Sequence, residues 1–182
     1  MMEMSGWRAV FEADMYRYGA SKVDKYIKKW NYFFRRCQYA SGGKKIIWHF
    51  LLLKHGAKHG IEIDYPVKIG KGLFIAHPYG ITINDKCIIG MNCNIHKGVT
   101  IGQENRGKRQ GTPIIGDNVW IGMNVTIVGN IKIGNDVLIA PNTYLNCDVP
   151  SHSIVLGNPA KIIVKDNATK EYINNIVGDQ QL

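Results

Sequence analysis

Cysteine and histidine are the residue types of this chain whose chemistry would suit a metal site, a nucleophile or a general base. The four cysteines, Cys37, Cys87, Cys93 and Cys147, form no CxxC pair and show no spacing typical of metal ligands. Cys87 and Cys93 lie six residues apart and are predicted to pack rather than to react. We therefore predict reduced thiols in a cytoplasmic protein, with no metal and no covalent nucleophile.

A second candidate for chemistry is a basic, glycine-containing segment, residues 103–112, which carries Arg106, Lys108 and Arg109. Functional groups concentrate on loops that a rigid scaffold holds in place, so this segment is predicted to contribute to a site. A tolerated surface insertion is the alternative.

The elements that would position these residues follow from a six-residue repeat that begins near residue 61. Isoleucines recur at this interval up to Ile81, then in a shifted frame from Ile83 to Ile101, and again from Ile115 onward. A second aliphatic series lies four residues after the isoleucines. The step from Ile101 to Ile115 is longer than the repeat, which predicts that residues 103–112 form a protruding loop.

A period of six fits neither an α-helix nor simple strand alternation, but it fits a triangular coil. Each unit makes a short strand and a turn, three units close a coil of about 18 residues, and coils stack at the ~4.8 Å strand spacing. The repeated aliphatic side chains would point inward and stack. We predict a mostly β protein with roughly four to five coils over residues 61–150; a β-sandwich with accidental spacing is the alternative.

Residues 1–60 show the period of amphipathic helices instead. One helix is predicted to start at Ala20-Ser21-Lys22 and to end at Ser41-Gly42-Gly43, and a second to run from about Ile46 towards Gly56 and Gly60. The apolar face of the first helix would comprise Val23, Ile27, Trp30, Phe34 and Cys37.

The formal net charge is +9, and basic residues crowd the first third of the chain. Such a charge suits nucleic acid, an anionic membrane surface or a phosphate-bearing ligand, with a solvated helix face as the alternative. No nucleic-acid-binding pattern is present, so nucleic acid is not predicted as a partner. No apolar run approaches the about 20 residues of a membrane span, and the N-terminus lacks the apolar core of a signal peptide.

Three stretches of the repeat resemble the hexapeptide-repeat acyltransferases: IGKGLFIAHPYGITIN, IGMNCNIHKGVTIG and IGDNVWIGMNVTIVGNIKIGNDVLIAPNTYL. The resemblance is closest to the serine acetyltransferase branch and its relatives that O-acetylate capsular and other cell-surface sugars. A GKG-L-x-x-x-H-x-x-G segment and a closing G-N-P-A-K segment make it specific over about residues 61–165. It implies a left-handed parallel β-helix that forms a homotrimer, with active sites between subunits. It also implies acetyl-CoA as cosubstrate in the groove between two subunits, without a metal.

The resemblance assigns His77 as the general base, because it aligns with the family's catalytic histidine. A neutral imidazole suits removal of a hydroxyl proton. In the serine enzymes an acid fifteen residues upstream orients this histidine; here that position is Glu62, where Asp is usual, with Asp64 as a fallback. His96 follows His77 by one coil plus one residue and is predicted to line the acceptor pocket or the subunit seam, with packing as the alternative.

For acetyl-CoA, the resemblance points to backbone groups at three corner positions that would bond the pantetheine arm, and to two basic residues that would meet the nucleotide phosphates. The corner positions are Gly102, Met123 and Pro141, and the basic residues are Lys161 and Lys165.

The chain departs from the serine enzymes at residues that hold serine. Ala76 stands where those enzymes have an Asp, and Gly111 and Thr112 stand where they have an Arg-His pair. A pocket without these charge partners would bind an α-amino acid weakly. Arg106 and Arg109 could instead bind a carboxylate or phosphate group. We therefore predict an O-acetyltransferase that modifies a hydroxyl of a sugar or surface-polysaccharide precursor. Serine O-acetylation for cysteine biosynthesis and a non-catalytic scaffold trimer are the alternatives.

The predicted organisation is an N-terminal helical segment (1–60), a β-helix domain (61–165) and a C-terminal tail (166–182) that is expected to be helical. Five residues of the helical segment are predicted to touch an anionic membrane, at its inner face, with packing or subunit contacts as the alternative. These residues are Trp30, Phe33, Phe34, Arg35 and Arg36.

Overall fold

The computed structural model describes residues 6–20 and 23–178. Within these residues, three α-helices precede fifteen short β-strands. The helices are α1 (Trp7–Tyr16), α2 (Lys25–Tyr39) and α3 (Gly42–Gly56).

The strands form the three faces of a prism, here named A, B and C. Face A stacks β1 (Ile61–Ile63), β4 (Ile81–Ile83), β7 (Thr100–Gly102), β10 (Thr126–Val128) and β13 (Tyr144–Leu145). Face B stacks β2 (Lys68–Ile69), β5 (Ile88–Ile89), β8 (Ile114–Ile115) and β11 (Lys132–Ile133). Face C stacks β3 (Phe74–Ala76), β6 (Asn94–His96), β9 (Val119–Ile121), β12 (Val137–Ile139), β14 (Ser153–Leu156) and β15 (Lys161–Val164).

Successive strands lie on faces A, B and C in turn, so neighbouring strands within a face are parallel. The exception is the final pair of face C, β14 and β15, which is antiparallel. Equivalent isoleucines pair from coil to coil and fill the inside of the prism. Fully burying an aliphatic side chain contributes roughly 1.5–3 kcal/mol, so these columns hold the coils together. The predicted mostly β, parallel β-helical fold is confirmed.

The six-residue isoleucine repeat changes register because one corner of the prism contains additional residues. Ile63 pairs with Ile83 twenty residues later, whereas Ile83 pairs with Ile101 eighteen residues later. The two extra residues lie in the corner between faces C and A, within 77–80. His96 consequently pairs with Ala76, and the residue in register with His77 is Lys97. His96 therefore lies one position before the equivalent of His77, whereas the repeat predicted one position after it.

The helices cap the open edge of the first coil, where backbone groups have no further strand to bond. The hydroxyl of Tyr18 donates to the Ile75 carbonyl (3.2 Å) and accepts from the Ile75 N–H (3.1 Å). The Arg35 guanidinium donates to the carbonyls of Ile69 (2.8 Å) and Gly70 (2.9 Å). The N-terminal segment therefore takes the place of a missing coil.

The buried carboxylate of Asp14, on α1, neutralises Arg35, on α2, and joins these two helices to the first coil. Oδ2 of Asp14 lies 2.7 Å from Nε of Arg35 and accepts from Nδ2 of Asn31 at 2.9 Å. Its Oδ1 accepts from the Leu73 N–H at 2.8 Å. Asp14 and Arg35 are both excluded from solvent, so the pair depends on this complete set of bonds.

The start of the first predicted helix differs from the structure. Helix α2 begins at Lys25, because Oδ1 of Asp24 accepts from the backbone N–H groups of Tyr26 (2.7 Å) and Ile27 (3.2 Å) and so caps it. The predicted start included Ser21 and Lys22, which lie outside the described residues.

The five residues predicted to touch a membrane are packed instead. Trp30, Phe34 and Arg35 are at most 1% exposed, and Phe33 is 8% exposed. The Arg36 guanidinium lies 4.6 Å from the ring centre of Trp7 and 4.4 Å from that of Trp48, between the two. The packing alternative is therefore correct for these residues. No described helix has the length and apolar character to cross a membrane.

The described part of the C-terminal tail, residues 166–178, does not form the predicted helix. Three of its residues take positive φ angles, which interrupt a right-handed helix. They are Asn167 (54°), Glu171 (74°) and Asn175 (52°). The tail instead runs along face C, where Asp136 accepts from the Thr169 N–H (2.9 Å) and Asn92 accepts from the Val177 N–H (2.9 Å).

We expect Asp14→Ala to lower the free energy of unfolding by about 3–5 kcal/mol, because it leaves the Arg35 charge buried without a counterion. Urea denaturation followed by circular dichroism would measure the change. Asp166→Ala, at an exposed position, is the matched control and should change stability by about 0.5 kcal/mol or less. Equal effects of the two substitutions would contradict the role given to Asp14.

Candidate active site

His77 occupies the two-residue expansion of the corner and is exposed to solvent. Its φ angle is +53°, and its carbonyl accepts from the Tyr79 N–H at 2.8 Å, so the corner is a tight turn. Gly80 closes the turn with a φ of +61°. Backbone angles in this region are uncommon for residues other than glycine and require support from neighbouring structure.

The support comes from His59, just before the first coil. Its Nδ1 lies 3.2 Å from the Pro78 carbonyl, and its own carbonyl accepts from the Gly80 N–H at 2.8 Å. Its ring stacks on Tyr79, with ring centres 4.4 Å apart, and on Tyr26 of α2, at 3.4 Å. The helical segment thereby fixes the shape of the His77 corner. No local sequence motif marks His59, so its role is visible only in the tertiary structure.

His96 lies beside the His77 corner on the next coil. Its Nδ1 is 2.9 Å from the Ile121 carbonyl, and because a carbonyl can only accept, Nδ1 carries the proton. Its ring packs 4.5 Å from that of Trp120. Burial lowers the pKa of His96, and the nearby His77 lowers it further. The neutral ring leaves Nε2 as a hydrogen-bond acceptor.

Glu62 does not bond His77 within the described chain. It lies exposed on β1 of face A, where its Oε2 is 3.4 Å from the Thr82 hydroxyl. Oδ1 of the fallback residue, Asp64, lies 2.9 Å from Nε2 of His49 and accepts from the Tyr65 N–H. The structure therefore places His96 near His77, and neither carboxylate forms a hydrogen bond with His77 in the described residues.

A groove with a volume of about 710 Å³ runs over face A, between the end of α3 and strands β1, β4 and β7. Glu62, Thr82 and Gly102 line it together with Leu53 of α3. Its floor of strand side chains and its position next to the C–A corner make it the candidate ligand groove.

The positions predicted to bind acetyl-CoA are divided between edges of the prism. Continuing the strand register places Met123 and Pro141 in line with His77, two and three coils further along the prism. Lys161 pairs with Leu156 at the same edge. Gly102 lies at the opposite end of face A, and Lys165 lies beyond the far end of β15, where its N–H donates to the His152 carbonyl.

The loop predicted at residues 103–112 is present and is closed at its base. Glu104 and Gly111 exchange backbone hydrogen bonds of 2.9 and 3.0 Å, and the Arg109 carbonyl accepts from the Asn130 N–H at 2.9 Å. Arg106 and Arg109 are exposed. Their charges are therefore available to an anionic group, although they do not contact His77 through any bond in the described part of the chain.

The cysteines are all unpaired thiols, and Cys37, Cys87 and Cys93 are buried. Burial raises the pKa of Cys37 to about 11 and that of Cys87 to about 12. Thiols of this kind are unreactive near neutral pH. Among the described residues, no group of three or more His, Cys, Asp or Glu side chains is arranged to hold a metal ion.

We expect His96 to titrate below the ordinary value of about 6.5 in a pH series of NMR spectra that resolve the imidazole protons. Trp120→Ala should expose the ring and raise its pKa towards that value. Because the unfolded chain binds the proton more readily, the free energy of unfolding should fall as the pH drops below about 6.5. A His96 signal that titrates at or above this value would refute the assignment of a buried, neutral ring.

Comparison with protein families matches residues 112–147 to the family described as bacterial transferase hexapeptide (six repeats). Serine acetyltransferase from Staphylococcus aureus (strain Mu50) is 47% identical over 109 residues, covering 59% of this chain and 50% of its own length. Serine acetyltransferase 4 from Arabidopsis thaliana is 36% identical over 145 residues, covering 74% of this chain and 41% of its own. The chain thus spans about half the length of the curated relatives it matches.

Solved structures show the same similarity. Soybean serine acetyltransferase apoenzyme aligns with a TM-score of 0.75 at 25% identity, over 87% of this chain and 69% of its own. Neisseria gonorrhoeae serine acetyltransferase in complex with serine aligns with a TM-score of 0.69 at 29% identity, over 86% and 69%. The coil repeat, the sequence matches and these structures together identify a hexapeptide-repeat protein with the left-handed β-helix fold, similar to the serine acetyltransferases.

Proposed function

We propose that this protein is an acetyl-CoA-dependent O-acetyltransferase in which His77 is the general base. The observation that carries the proposal is the position of His77. It is exposed on an expanded corner, in a backbone conformation that His59 and Gly80 hold, on a scaffold similar to serine acetyltransferases. A reactive group that is exposed and held at a fixed position suits catalysis more than packing.

The reaction requires no covalent enzyme intermediate. His77 accepts the proton of the acceptor hydroxyl as its oxygen attacks the thioester carbonyl of acetyl-CoA. The attack forms a tetrahedral oxyanion, for which backbone N–H groups of the coil are the available donors. Collapse breaks the C–S bond, the thiolate of CoA takes the proton, and the acetyl ester leaves.

We propose Glu62 as the residue that orients His77, with Asp64 second. Asp64 already accepts from the Tyr65 N–H, whereas the carboxylate of Glu62 is exposed and has one long contact, with Thr82. An exposed glutamate has the rotamer freedom to turn towards the corner when a ligand or a neighbouring subunit fills the groove. We assign His96 to the acceptor side, as a neutral acceptor of a hydrogen bond.

A site assembled from two subunits of a homotrimer is part of the proposal. Within one chain, Met123, Pro141 and Lys161 share the edge above His77, while Gly102 and Lys165 lie away from it. A ligand that contacts all five residues must therefore lie between two prisms. The length of the edge supports this arrangement, because five strand spacings of ~4.8 Å separate β3 from β15 and give an extended ligand about 24 Å between His77 and Lys161.

L-serine is the first candidate acceptor, because the relatives named above are serine acetyltransferases and one of the structures contains serine. These comparisons favour the serine alternative over the predicted sugar acceptor. A saccharide hydroxyl remains the second candidate, on the specific observation that Ala76, Gly111 and Thr112 carry no charge. Gly111 is bonded to Glu104 through its backbone, and the Thr112 hydroxyl contacts the Lys86 carbonyl (3.2 Å), so neither position offers a charge for an amino acid.

We expect His77→Ala to lower kcat for acetyl transfer by about 10²–10⁴-fold, the usual effect of losing a general base. Release of the CoA thiol would measure kcat, and thermal denaturation would show that the fold persists. His152→Ala, another exposed histidine at a corner, is the control and should retain its activity. Full activity of the His77 variant would disprove the proposed base.

The acceptor is tested by thiol release with L-serine, nucleotide sugars and oligosaccharides as separate substrates. Saturable release with L-serine would establish the first candidate. Release with a saccharide alone is expected if the uncharged positions exclude an amino acid. If no acceptor supports release while isothermal titration calorimetry also shows no binding of acetyl-CoA, the acetyltransferase proposal fails and a scaffold trimer takes its place.

A further inference from the structure

The outward face of α3 is apolar, which is the reverse of the pattern expected for a surface helix. Its inward face buries Leu52 and Gly56 against the rest of the segment. Its outward face presents four large aliphatic or aromatic side chains, each more than half exposed. They are Ile46 (73%), Ile47 (59%), Phe50 (61%) and Leu53 (53%).

The charge of the chain is concentrated around the same helix. Nine of its 23 Lys and Arg residues, and none of its 14 Asp and Glu residues, lie between residues 25 and 60. The rest of the chain therefore carries equal numbers of both signs, and residues 25–60, which contain α2 and α3, hold the whole net charge of +9. Arg35 and Arg36 are used within the fold, and the remaining seven cations are lysines.

Three of these lysines border the apolar face. Lys29, Lys54 and Lys58 line a small pocket of about 220 Å³ with Phe33 and Leu51. Nζ of Lys54 lies 5.9 Å from the ring centre of Phe50. Burial lowers the pKa of the adjacent His55, and the charges of Lys29 and Lys58 lower it further. An apolar strip and a cluster of lysines that form no ion pair among the described residues are therefore continuous on one surface.

We propose that the outward face of α3 docks on an anionic lipid bilayer. The apolar side chains would enter the boundary between headgroups and acyl chains, and the flanking lysines would meet the anionic headgroups. A two-fold contact, in which this face meets the same face of a second copy, is disfavoured because it would bring two basic clusters together. A contact with a different face of a neighbouring copy is the competing occupant, and sedimentation velocity tests it. Charge complementarity thus selects the bilayer as the occupant.

The docked surface would lie next to the candidate ligand groove. Leu53 belongs to the apolar face and also lines the groove that contains Glu62. An acceptor attached to the membrane would therefore reach the groove without leaving the surface. The docking proposal itself does not depend on the acetyltransferase activity and is tested without it.

The test is co-sedimentation of the full chain with vesicles of phosphatidylcholine alone or mixed in equal parts with phosphatidylglycerol. We expect binding to the anionic vesicles only, weakened by high salt. Ile46→Ser combined with Phe50→Ser should lower the partition coefficient about tenfold or more, and so should Lys54→Gln combined with Lys58→Gln.

Matched controls come from exposed positions on the prism. Ile163→Ser replaces an apolar side chain that is 52% exposed, and Lys68→Gln with Lys132→Gln removes two exposed lysines of face B. These variants should bind as the unchanged chain does, and circular dichroism should show that every variant is folded.

Absence of binding to anionic vesicles would overturn the proposal, and so would equal losses in the control variants. Sedimentation velocity without lipid tests the competing occupant. If Ile46→Ser with Phe50→Ser dissociates an oligomer of the chain, the face is a contact between copies and the membrane proposal is wrong.

Discussion

The fold depends on the backbone hydrogen bonds between coils, because each strand of two to four residues is too short to be stable alone. A coil inside the stack bonds the coils on both sides, but the first coil has one open edge. Here polar side chains of the helical segment replace the missing coil. Tyr18 bonds Ile75, and Arg35 bonds the carbonyls that end β2. The Asp14–Arg35 pair makes this arrangement possible, because an uncompensated buried guanidinium would cost more than the bonds return.

The same arrangement explains why the helices present few charges to the prism and many to the solvent. Capping uses Arg35, and aromatic packing uses Arg36, so the lysines of α2 and α3 are left on the outside. Helix α3 must also approach β1 closely: a Cβ at Gly56 would lie 2.6 Å from the Ile61 carbonyl oxygen. Leu52 and Gly56 fix this inner face, Trp48 and Leu51 pack beside it, and Ile46, Ile47, Phe50 and Leu53 are left exposed.

The candidate site depends on a local exception to the repeat. Two additional residues expand the corner at 77–80 and move His77 out of the regular coil into solvent. The stack of His59 on Tyr79 and Tyr26 joins this corner to the helical segment. The cap of the prism and the shape of the site are thus parts of one structure, and the prism edge above His77 continues to Met123, Pro141 and Lys161.

The amino-acid sequence by itself determined the β-helix, because a six-residue period of aliphatic residues has one regular solution, a three-sided coil with those residues inside. It also located the loop and marked His77, through a motif with fixed spacing. It did not determine that Trp30, Phe34 and Arg35 are buried, that the tail is extended along face C, or that Glu62 and His77 are unbonded within one chain. Those features rest on contacts between residues distant in sequence, such as Arg35 with Ile69 and Asn92 with Val177. Only the tertiary structure decided them, because burial and hydrogen bonding depend on which elements pack together. A local sequence pattern does not specify which distant elements will be in contact.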